Sequence, residues 1–302
     1  MSESAYLLYL GCAIPSRVLS YEVATRKVAE GLDLRLVEMP EFSCCGLPLD
    51  AISHDMMLVL AAQNLCLAEQ QELNIMTLCP GCNGTLCTVN ETLKKDRGLR
   101  ERVNGQLGEV GMEFRGEISV RHLVQVLLRD IGLKAIKDSV ARPLKGLKAA
   151  AHHGCHLLRP SRHLGIDDPE HPTILKKLIE ATGSRCLDYR NELECCGAPV
   201  MVTRPLDAAG GRLGKVGVSL QTTREKLVHL REAGAEALVT VCPSCYRMYD
   251  INQPIIERAF NESFNIPVLH YPELLALAMG IDPDELALNE HRIDTSKILQ
   301  TG

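Results

Sequence analysis

Two series of cysteines, repeated in the same order, restrict most strongly what this chain can fold into. Ten of its 13 cysteines form these series, and each series consists of one cysteine, an adjacent pair and a Cys-x-x-Cys pair. The members in chain order are Cys12, Cys44, Cys45, Cys79 and Cys82, then Cys155, Cys195, Cys196, Cys242 and Cys245. Disulfides do not persist in a reducing cytosol, where cysteines at this density usually bind metal or carry out redox chemistry. The repeat therefore predicts two copies of one cysteine-rich unit.

The residues around the cysteines repeat as well. Short apolar runs that end in a glycine, at residues 6–11 and 148–154, precede Cys12 and Cys155. A glycine follows each adjacent pair, and each Cys-Pro-x-Cys comes directly after a short apolar run. Residues 118–122 (ISVRH) also match residues 266–270 (IPVLH), and each segment leads into an apolar-periodic helix. Because strands alternate here with helix-length segments, the sequence indicates duplicated βαβ units with parallel sheets.

Each series offers five thiolates, which are soft ligands suited to zinc and to iron–sulfur clusters. Structural zinc sites take four ligands, so five cysteines fit a multi-iron cluster better than one zinc ion. Adjacent side chains of an extended chain point in opposite directions, and a turn at Gly46 or Gly197 is expected to bring both sulfur atoms inward. The alternatives are buried free cysteines, which seldom recur at matched positions, and a thioredoxin-like dithiol, which leaves the other cysteines unexplained.

The predicted fold class is α/β, with two pseudo-symmetric halves of βαβ type. Each half is expected to contain a small, mostly parallel sheet and a cysteine-bound iron–sulfur cluster. The boundary is expected near residues 138–147, where Pro143 and Gly146 interrupt the pattern, which gives an N-terminal half at 1–141 and a C-terminal half at 142–302. The clearest strands are predicted at 6–10 and 185–189, and the clearest helices at 21–30, 55–72, 172–182 and 220–233.

Three further cysteines are expected to be ordinary buried residues. Cys66 lies among apolar residues of a predicted helix, and Cys186 lies on a predicted strand. Cys87 follows Cys82 by about one helical turn, and a ligand role for it is the less favoured alternative.

The charge of the chain excludes several classes of partner. Its net charge is −5 and it has no tryptophan, so nothing indicates a nucleic-acid groove.

No apolar run approaches the roughly 18–20 residues of a transmembrane segment. The apolar run at 6–10 has no basic leader before it and is interpreted as a buried strand. The sequence therefore predicts a cytoplasmic protein.

The cysteine series and three flanking segments resemble the B subunit of heterodisulfide reductase over nearly the whole chain. The segments are residues 11–17 (GCAIPSR), residues 153–156 (HGCH) and residues 281–292 (IDPDELALNEHR). The resemblance implies two noncubane 4Fe-4S clusters, each held by all five cysteines of one series, and a disulfide that is cleaved between them. It also implies two kinds of partner: a protein similar to the C-type subunit of the family, which carries ordinary clusters, and one similar to its flavin-carrying A-type subunit.

Related complexes share the cysteine pattern and leave the function open. They include the E-type subunit of some fumarate and succinate reductases and the B-type subunits of sulfur-oxidising heterodisulfide reductase-like complexes. An electron-transfer subunit is therefore the first alternative to a disulfide reductase, and a zinc-stabilised interaction module is the second. The glycine-rich stretch at residues 207–217 departs from the resemblance, and we interpret it as a surface loop without a Walker A signature.

The resemblance also suggests residues that bind the substrate. Methanogenic members of the family reduce the mixed disulfide of coenzyme M and coenzyme B, which carries a sulfonate and a phosphate. Arginine pairs well with such oxyanions, so Arg17, Arg159 and Arg162 are candidates, with surface arginine as the alternative. His152, His153 and His156 lie around Cys155, where they are candidates for proton supply, for hydrogen bonds to sulfur or for metal ligation, with a structural histidine as the alternative. His122 and His270 recur in both halves, which duplication alone explains.

Overall fold

The computed structural model describes residues 5–203 and 217–299, and these form two four-stranded parallel sheets. The first sheet contains β1 (Ala5–Tyr9), β2 (Arg35–Val37), β3 (Asn74–Thr77) and β4 (Val120–His122) in the order β2-β1-β3-β4. The second contains β5 (Lys148–His152), β6 (Arg185–Leu187), β7 (Ala237–Thr240) and β8 (Val268–His270) in the order β6-β5-β7-β8. The predicted α/β duplication is confirmed, and the division at residues 141 and 142 stays a prediction.

The strands are short apolar runs because both faces of each parallel sheet are covered. All four residues of β7 are buried, and so are the last four residues of β1 and of β5. Equivalent registers pair the strands of the two sheets, since Tyr9 lies beside Thr77 in the first and His152 lies beside Thr240 in the second. The two halves therefore repeat one architecture down to individual strand positions.

Helices connect the strands on both faces of each sheet. The α-helices of the first half are Ile14–Arg17, Leu19–Gly31, His54–Gln70, Pro80–Lys95, Arg97–Leu107, Leu123–Gln125 and Leu133–Asp138. Those described in the second half are Cys155–Leu158, Ser161–Leu164, Ile174–Ala181, Ala198–Thr203, Val218–Glu232, Pro243–Tyr246, Gln253–Phe260, Tyr271–Ala278 and Ser296–Leu299. Shorter 3-10 segments lie at Leu47–Leu49, Gly108–Val110, Pro283–Leu286 and Leu288–Glu290.

The four clearest helices of the sequence are confirmed, with ends that differ by a few residues. The helix predicted after residues 118–122 begins as Leu123–Gln125 and continues as a π-helix, Val126–Ile131. A second π-helix, Arg247–Ile251, follows the Cys-Pro-x-Cys segment of the second half. Residues 204–216, which include most of the glycine-rich stretch, lie outside the described residues.

The strand order places one edge of each sheet at a topological switch point. From β1 the chain passes to β2 on one side and to β3 on the other, and β5 has the same position between β6 and β7. Ligands of open parallel sheets bind at the carboxyl ends of the strands at such a point. Cys12 follows β1 and Cys79 follows β3, so the first cysteine series belongs to this edge.

The two halves are packed against each other through their cysteine-bearing segments. Helix Pro80–Lys95 of the first half contacts helices Cys155–Leu158 and Ser161–Leu164 of the second, and helix Leu19–Gly31 contacts helix Tyr271–Ala278. The Gly84 backbone approaches His156 so closely that an added Cβ would lie 3.6 Å from its carbonyl oxygen. Across residues 5–203 and 217–299, every helix is too short or too polar to cross a membrane.

Candidate metal centres

The five thiols of each series come together at the carboxyl edge of one sheet. We call the group of the first half the first site and the group of the second half the second site. In the first site the interacting thiols follow the order Cys12, Cys44, Cys45, Cys82, Cys79. In the second site they follow the order Cys155, Cys195, Cys196, Cys245, Cys242. The same order of neighbours in both sites means that the duplication preserved the ligand geometry and not only the residue types.

A left-handed glycine fixes the adjacent pair in each site. Gly46 has φ of 86° and Gly197 has φ of 93°, a region that favours glycine. An added Cβ would lie 2.9 Å from the Met57 backbone in the first case and 2.5 Å from the Ser219 carbonyl oxygen in the second. The glycine N–H donates to the sulfur of the first cysteine of the pair, at 3.5 Å to Cys44 and 3.4 Å to Cys195. The backbone therefore sets both sulfur positions before any ligand binds.

Each Cys-Pro-x-Cys places a thiol at the start of a helix. Cys79 is the residue before helix Pro80–Lys95, and Cys242 is the residue before helix Pro243–Tyr246. Proline is tolerated at the first helical position because that N–H has no partner in the helix. A hydrogen bond with Cys245, followed by those with the Cys245 and Ser244 backbone, lowers the pKa of Cys242 against the opposing effect of burial. Helix starts favour negative charge, so this geometry favours thiolate ligands.

Crowding perturbs the other thiols. A hydrogen bond with Cys82 is the largest cause that lowers the pKa of Cys45, to about 7. Hydrogen bonds with Cys45 and Cys79, and then burial, raise the pKa of Cys82 well above its ordinary value. Several thiolates at such close range repel one another unless cationic metal lies between them. Five convergent soft donors in each site therefore fit a polynuclear metal centre, and exceed the four that one zinc ion takes.

The first site is open to solvent, and uncharged side chains support its cysteine loop. The Tyr9 hydroxyl donates to the Ser43 carbonyl at 2.6 Å, and the Asn64 amide accepts from Ser43 N–H at 2.9 Å and donates to the Cys44 carbonyl at 3.2 Å. Cys12 is exposed. It lines a groove of about 430 Å³ together with apolar residues such as Met39 and Phe42. This site is therefore accessible from solvent.

The surroundings of the second site are cationic and closed. Lys226 is 2% exposed, and its ammonium donates to the carbonyls of Glu194 at 2.7 Å and Glu192 at 3.0 Å. The His152 Nδ1 lies 3.4 Å from that ammonium, and a ring nitrogen of His152 lies within 4.8 Å of the sulfur atoms of Cys196 and Cys245. The cavity beside Cys155 has a volume of only about 10 Å³.

The predicted arginines lie in two different settings. Arg17 is exposed, and its side chain has no hydrogen bond or salt bridge to any residue that the structure describes. Arg159 is hydrogen-bonded to the Pro169 carbonyl at 3.1 Å and paired with Glu170 at 3.3 Å. Arg162 contacts the ring nitrogen of its neighbour His163 at 3.0 Å. Of the three, Arg17 is the one left available for an external anion.

The predicted histidines His153 and His156 differ in burial. His153 is buried, and neither of its ring nitrogens has a hydrogen-bond partner among the described residues. Burial, followed by the nearby charge of Lys176, lowers its pKa to about 4, so it is neutral at pH 7. His156 is exposed, on the helix that packs against helix Pro80–Lys95. The recurrent His122 and His270 are the residues that begin the helices after β4 and β8.

Sequence reasoning does not single out three residues that lie near the sites. The Tyr21 hydroxyl donates to the Leu78 carbonyl at 2.8 Å and lies 3.1 Å from the Val241 carbonyl, so it joins the residues that precede Cys79 and Cys242. Arg247 is half-buried without a bonded partner in the described chain; burial lowers its pKa, and the positive charge of Arg17 lowers it further. Lys226 is the third. The position of Arg247 two residues after Cys245 is the one hint that the sequence contains.

The three further cysteines are separate from both sites. Cys66 and Cys186 lie in a helix and a strand, and burial raises the pKa of each to about 12. The Cys87 thiol donates to the Val120 carbonyl at 3.4 Å, and burial raises its pKa to about 12. Cys66 and Cys87 are buried and Cys186 is half-buried, which agrees with their interpretation as free cysteines.

Comparison with known proteins decides the family. The profile of the cysteine-rich (CCG) domain matches twice, at residues 6–87 and 149–250. The B subunit of the ferredoxin:CoB-CoM heterodisulfide reductase of Methanosarcina mazei is 36% identical over 97% of this chain and 95% of that protein. The chain belongs to the family of heterodisulfide reductase B subunits. The predicted resemblance is therefore confirmed.

Other members of the family differ in the complexes that their names describe. A protein of Archaeoglobus profundus, named as similar to the B subunit of heterodisulfide reductase, is 32% identical over 93% of this chain. The membrane anchor subunit of the 8-methylmenaquinol:fumarate reductase of Wolinella succinogenes is 29% identical over 98% of it. A solved structure of a hypothetical protein from Helicobacter pylori has a TM-score of 0.70 at 15% identity, which indicates a shared fold alone. This chain spans about half (53%) of that one.

Proposed function

We propose that this chain is the catalytic iron–sulfur subunit of a heterodisulfide reductase-type complex. It reduces an anionic disulfide, of the kind formed by coenzyme M and coenzyme B, to two thiols. The S–S bond accepts two electrons and two protons and breaks between the sulfur atoms. The five cysteines of each site would hold one noncubane 4Fe-4S cluster, a group that would supply single electrons when bound.

The observation that carries this proposal is the identical order of five thiols in two sites of adjoining halves. A single cluster would explain one such group and leave the other without a role. Cleavage of a disulfide yields two sulfur atoms, and two equivalent soft-metal sites provide one position for each. The Leu78 and Val241 carbonyls share the Tyr21 hydroxyl, so the ends of the two central strands meet between the sites.

Arg17 and Arg247 are the residues that we assign to the anionic groups of the substrate. One belongs to the first half and the other to the second, and their like charges face each other without a carboxylate partner among the described residues. An oxyanion between two guanidinium groups removes that repulsion and forms charge-assisted hydrogen bonds. His153, His156, Arg159 and Arg162 stay candidates for the same pocket.

The chain works with partners in this proposal. Its sequence contains no G-x-G-x-x-G fingerprint for a flavin or nicotinamide after a strand, so electrons come from other proteins of the complex. We assign this role to proteins similar to the C-type and A-type subunits of the family, in the cytoplasm. The exposed Cys12 and the adjoining groove provide the more accessible of the two sites for electron entry.

The test is metal analysis and activity of anaerobically purified protein. We expect about eight irons per chain with matching acid-labile sulfide. The complex with its native partners should cleave an anionic mixed disulfide when an artificial electron donor is supplied. A colourless chain that contains only zinc would contradict the proposal and favour an interaction module.

The second candidate is an electron-transfer subunit of a related complex. The Wolinella succinogenes relative, named as a subunit of a fumarate reductase, favours it, as does the exposed first site. An iron-loaded complex that accepts electrons but leaves every disulfide intact would support this candidate over the reductase.

A further inference from the structure

The two sites differ at two positions that the duplication makes equivalent. In the first site Met57 approaches the glycine after the cysteine pair, and Asn64 follows Met57 by about two helical turns. In the second site Ser219 approaches the equivalent glycine, and Lys226 follows Ser219 by the same distance along the chain. Tyr9 is the last residue of β1, and His152 is the last residue of β5. A neutral amide and a phenol in the first site are therefore replaced by an ammonium and an imidazole in the second.

The charge of Lys226 is held inside the protein. Its side chain is 2% exposed and makes no salt bridge to a carboxylate within the described residues. Glu194 is exposed to solvent, and the Glu192 carboxylate is paired with Lys176 at 2.9 Å. Burial lowers the pKa of Lys226 to about 8, which leaves the amine mainly protonated at pH 7. The second site therefore contains a buried ammonium that is held by two backbone carbonyls and is not paired with a carboxylate among the described residues.

His152 lies beside Lys226 and close to the sulfur atoms of the second site. Its Nδ1 is 3.4 Å from the Lys226 ammonium, and its Nε2 is buried without a hydrogen-bond partner in the described chain. A ring nitrogen of His152 lies within 4.8 Å of the sulfur atoms of Cys196 and Cys245. A polar imidazole therefore lies between the buried ammonium and these sulfur atoms.

The side chains at the equivalent positions of the first site are neutral. The Tyr9 hydroxyl is used by the Ser43 carbonyl at 2.6 Å. The Asn64 amide is used by Ser43 N–H and by the carbonyls of Cys44 and Leu60, at 2.9, 3.2 and 2.8 Å. Both side chains support the cysteine loop, and neither brings a charge or a free N–H to the sulfur atoms.

These differences act on the electron affinity of whatever cluster each site holds. Reduction adds one electron, and hence one negative charge, to a cluster in an environment of low dielectric constant. A buried cation and hydrogen bonds to sulfur stabilise the reduced form and raise the reduction potential. We propose that Lys226 and His152 make the second site the more electron-accepting one, so that its cluster is reduced before the cluster of the first site. This inference rests on the proposed function.

The test is an anaerobic redox titration of the purified chain with dithionite as the reductant, followed by EPR spectroscopy. Cys45→Ala and Cys196→Ala proteins assign the two signals to their sites. In the wild type we expect at least about a tenfold preference for reduction of the second site, which corresponds to about 59 mV for a one-electron couple. Lys226→Met should remove most of this preference, and Lys226→Arg should retain it. The matched control Lys134→Met removes the charge of an exposed lysine that is paired with Asp138, and should leave both potentials within about threefold.

The outcomes separate this inference from the proposed function. A colourless or zinc-loaded wild type contradicts the proposed function itself. An iron-loaded wild type whose two sites are reduced equally, or whose first site is reduced first, overturns the inference alone. The same follows if Lys226→Met keeps both clusters and both potentials. If that variant does not fold, the wild type and the two cysteine variants decide the order of reduction without it.

Discussion

The two halves of the molecule share a backbone and differ in charge. Both have the same strand order, the same sequence of thiol neighbours and a left-handed glycine after the cysteine pair. The second half has Lys226 where the first has Asn64, and a closed site where the first has a groove of about 430 Å³. The comparison teaches that main-chain geometry positions the ligands, while a few side chains give each site its own electrostatics.

The same contrast is present at the helices after β4 and β8. In the first half His122 begins its helix, and the neutral side chain of Gln125 accepts from its backbone N–H at 2.9 Å. In the second half His270 and Glu273 have these places, and Glu273 also lies 3.3 Å from His291. The first half therefore has a neutral helix cap, and the second half has a buried ionic pair at the equivalent place.

Removal of one cysteine is the strongest way to test whether the halves are equivalent but independent. Cys45→Ala should lose the cluster of the first site and spare the second, and Cys196→Ala should do the reverse, because each site is built on its own sheet. Iron analysis should show a loss of about half of the metal in each variant. If either variant empties both sites while the chain stays folded, the independence of the halves is wrong.

Removal of His291 should show that the two helix caps contribute differently to the free energy of unfolding. His291→Leu leaves the buried Glu273 without its strongest opposite charge, and we expect a loss of about 3–5 kcal/mol in the free energy of unfolding. The matched change Gln125→Leu removes a neutral hydrogen bond and should cost about 1–3 kcal/mol. Urea denaturation under anaerobic conditions measures both. Equal losses would contradict a charged cap in the second half.

The pair of Glu273 and His291 predicts how the stability of the protein depends on pH. Burial opposes both shifts, but His291 lowers the pKa of Glu273 below its usual 4.5, and Glu273 raises the pKa of His291 above its usual 6.5. The Glu273 contribution is present above pH 4.5 and is lost as the pH falls through its lowered pKa. The His291 contribution is present below pH 6.5 and is lost as the pH rises through its raised pKa. The stability difference between wild type and His291→Leu should therefore be largest between these values.

Replacement of single arginines tests the comparison of the two halves through smaller changes in free energy. Arg17→Ala and Arg247→Ala should each raise the KM for an anionic disulfide ten- to hundredfold, or about 1.5–3 kcal/mol, with normal iron content. Arg159→Ala should have a smaller effect, because that side chain is already paired with Glu170. An uncharged disulfide should show little change in any variant. Unchanged kinetics for both Arg17 and Arg247 would remove this pocket and favour the electron-transfer role.

The sequence predicts the parts of this molecule that depend on local pattern. The cysteine order, the glycine turns and the alternation of strands and helices are short-range signals, and each is present in the structure. The ends of helices and the two π-helices are not encoded so simply, because they depend on tertiary packing.

Lys226, which distinguishes the second site from the first, could not be found in this way. Lys226 is about 30 positions beyond Cys196 in a helix of ordinary appearance, and only the fold brings it to the Glu192 and Glu194 carbonyls. Glu273 and His291 are likewise joined by tertiary structure. Met57 and Ser219 contact the equivalent glycines of the two sites, so the helices that carry them can be aligned. This alignment shows that Asn64 and Lys226 have equivalent positions.

The shared hydroxyl of Tyr21 has a consequence for the order of folding. It bonds to carbonyls that are 57 and 220 positions away along the chain. Closing so long a loop costs more entropy than local contacts do, and N-terminal segments leave the ribosome first. The first half is therefore able to collapse around its own sheet while the strand that supplies Val241 is still being made. The surface between the two sites is then completed last, and a nascent chain contains the first cysteine group before it contains the second.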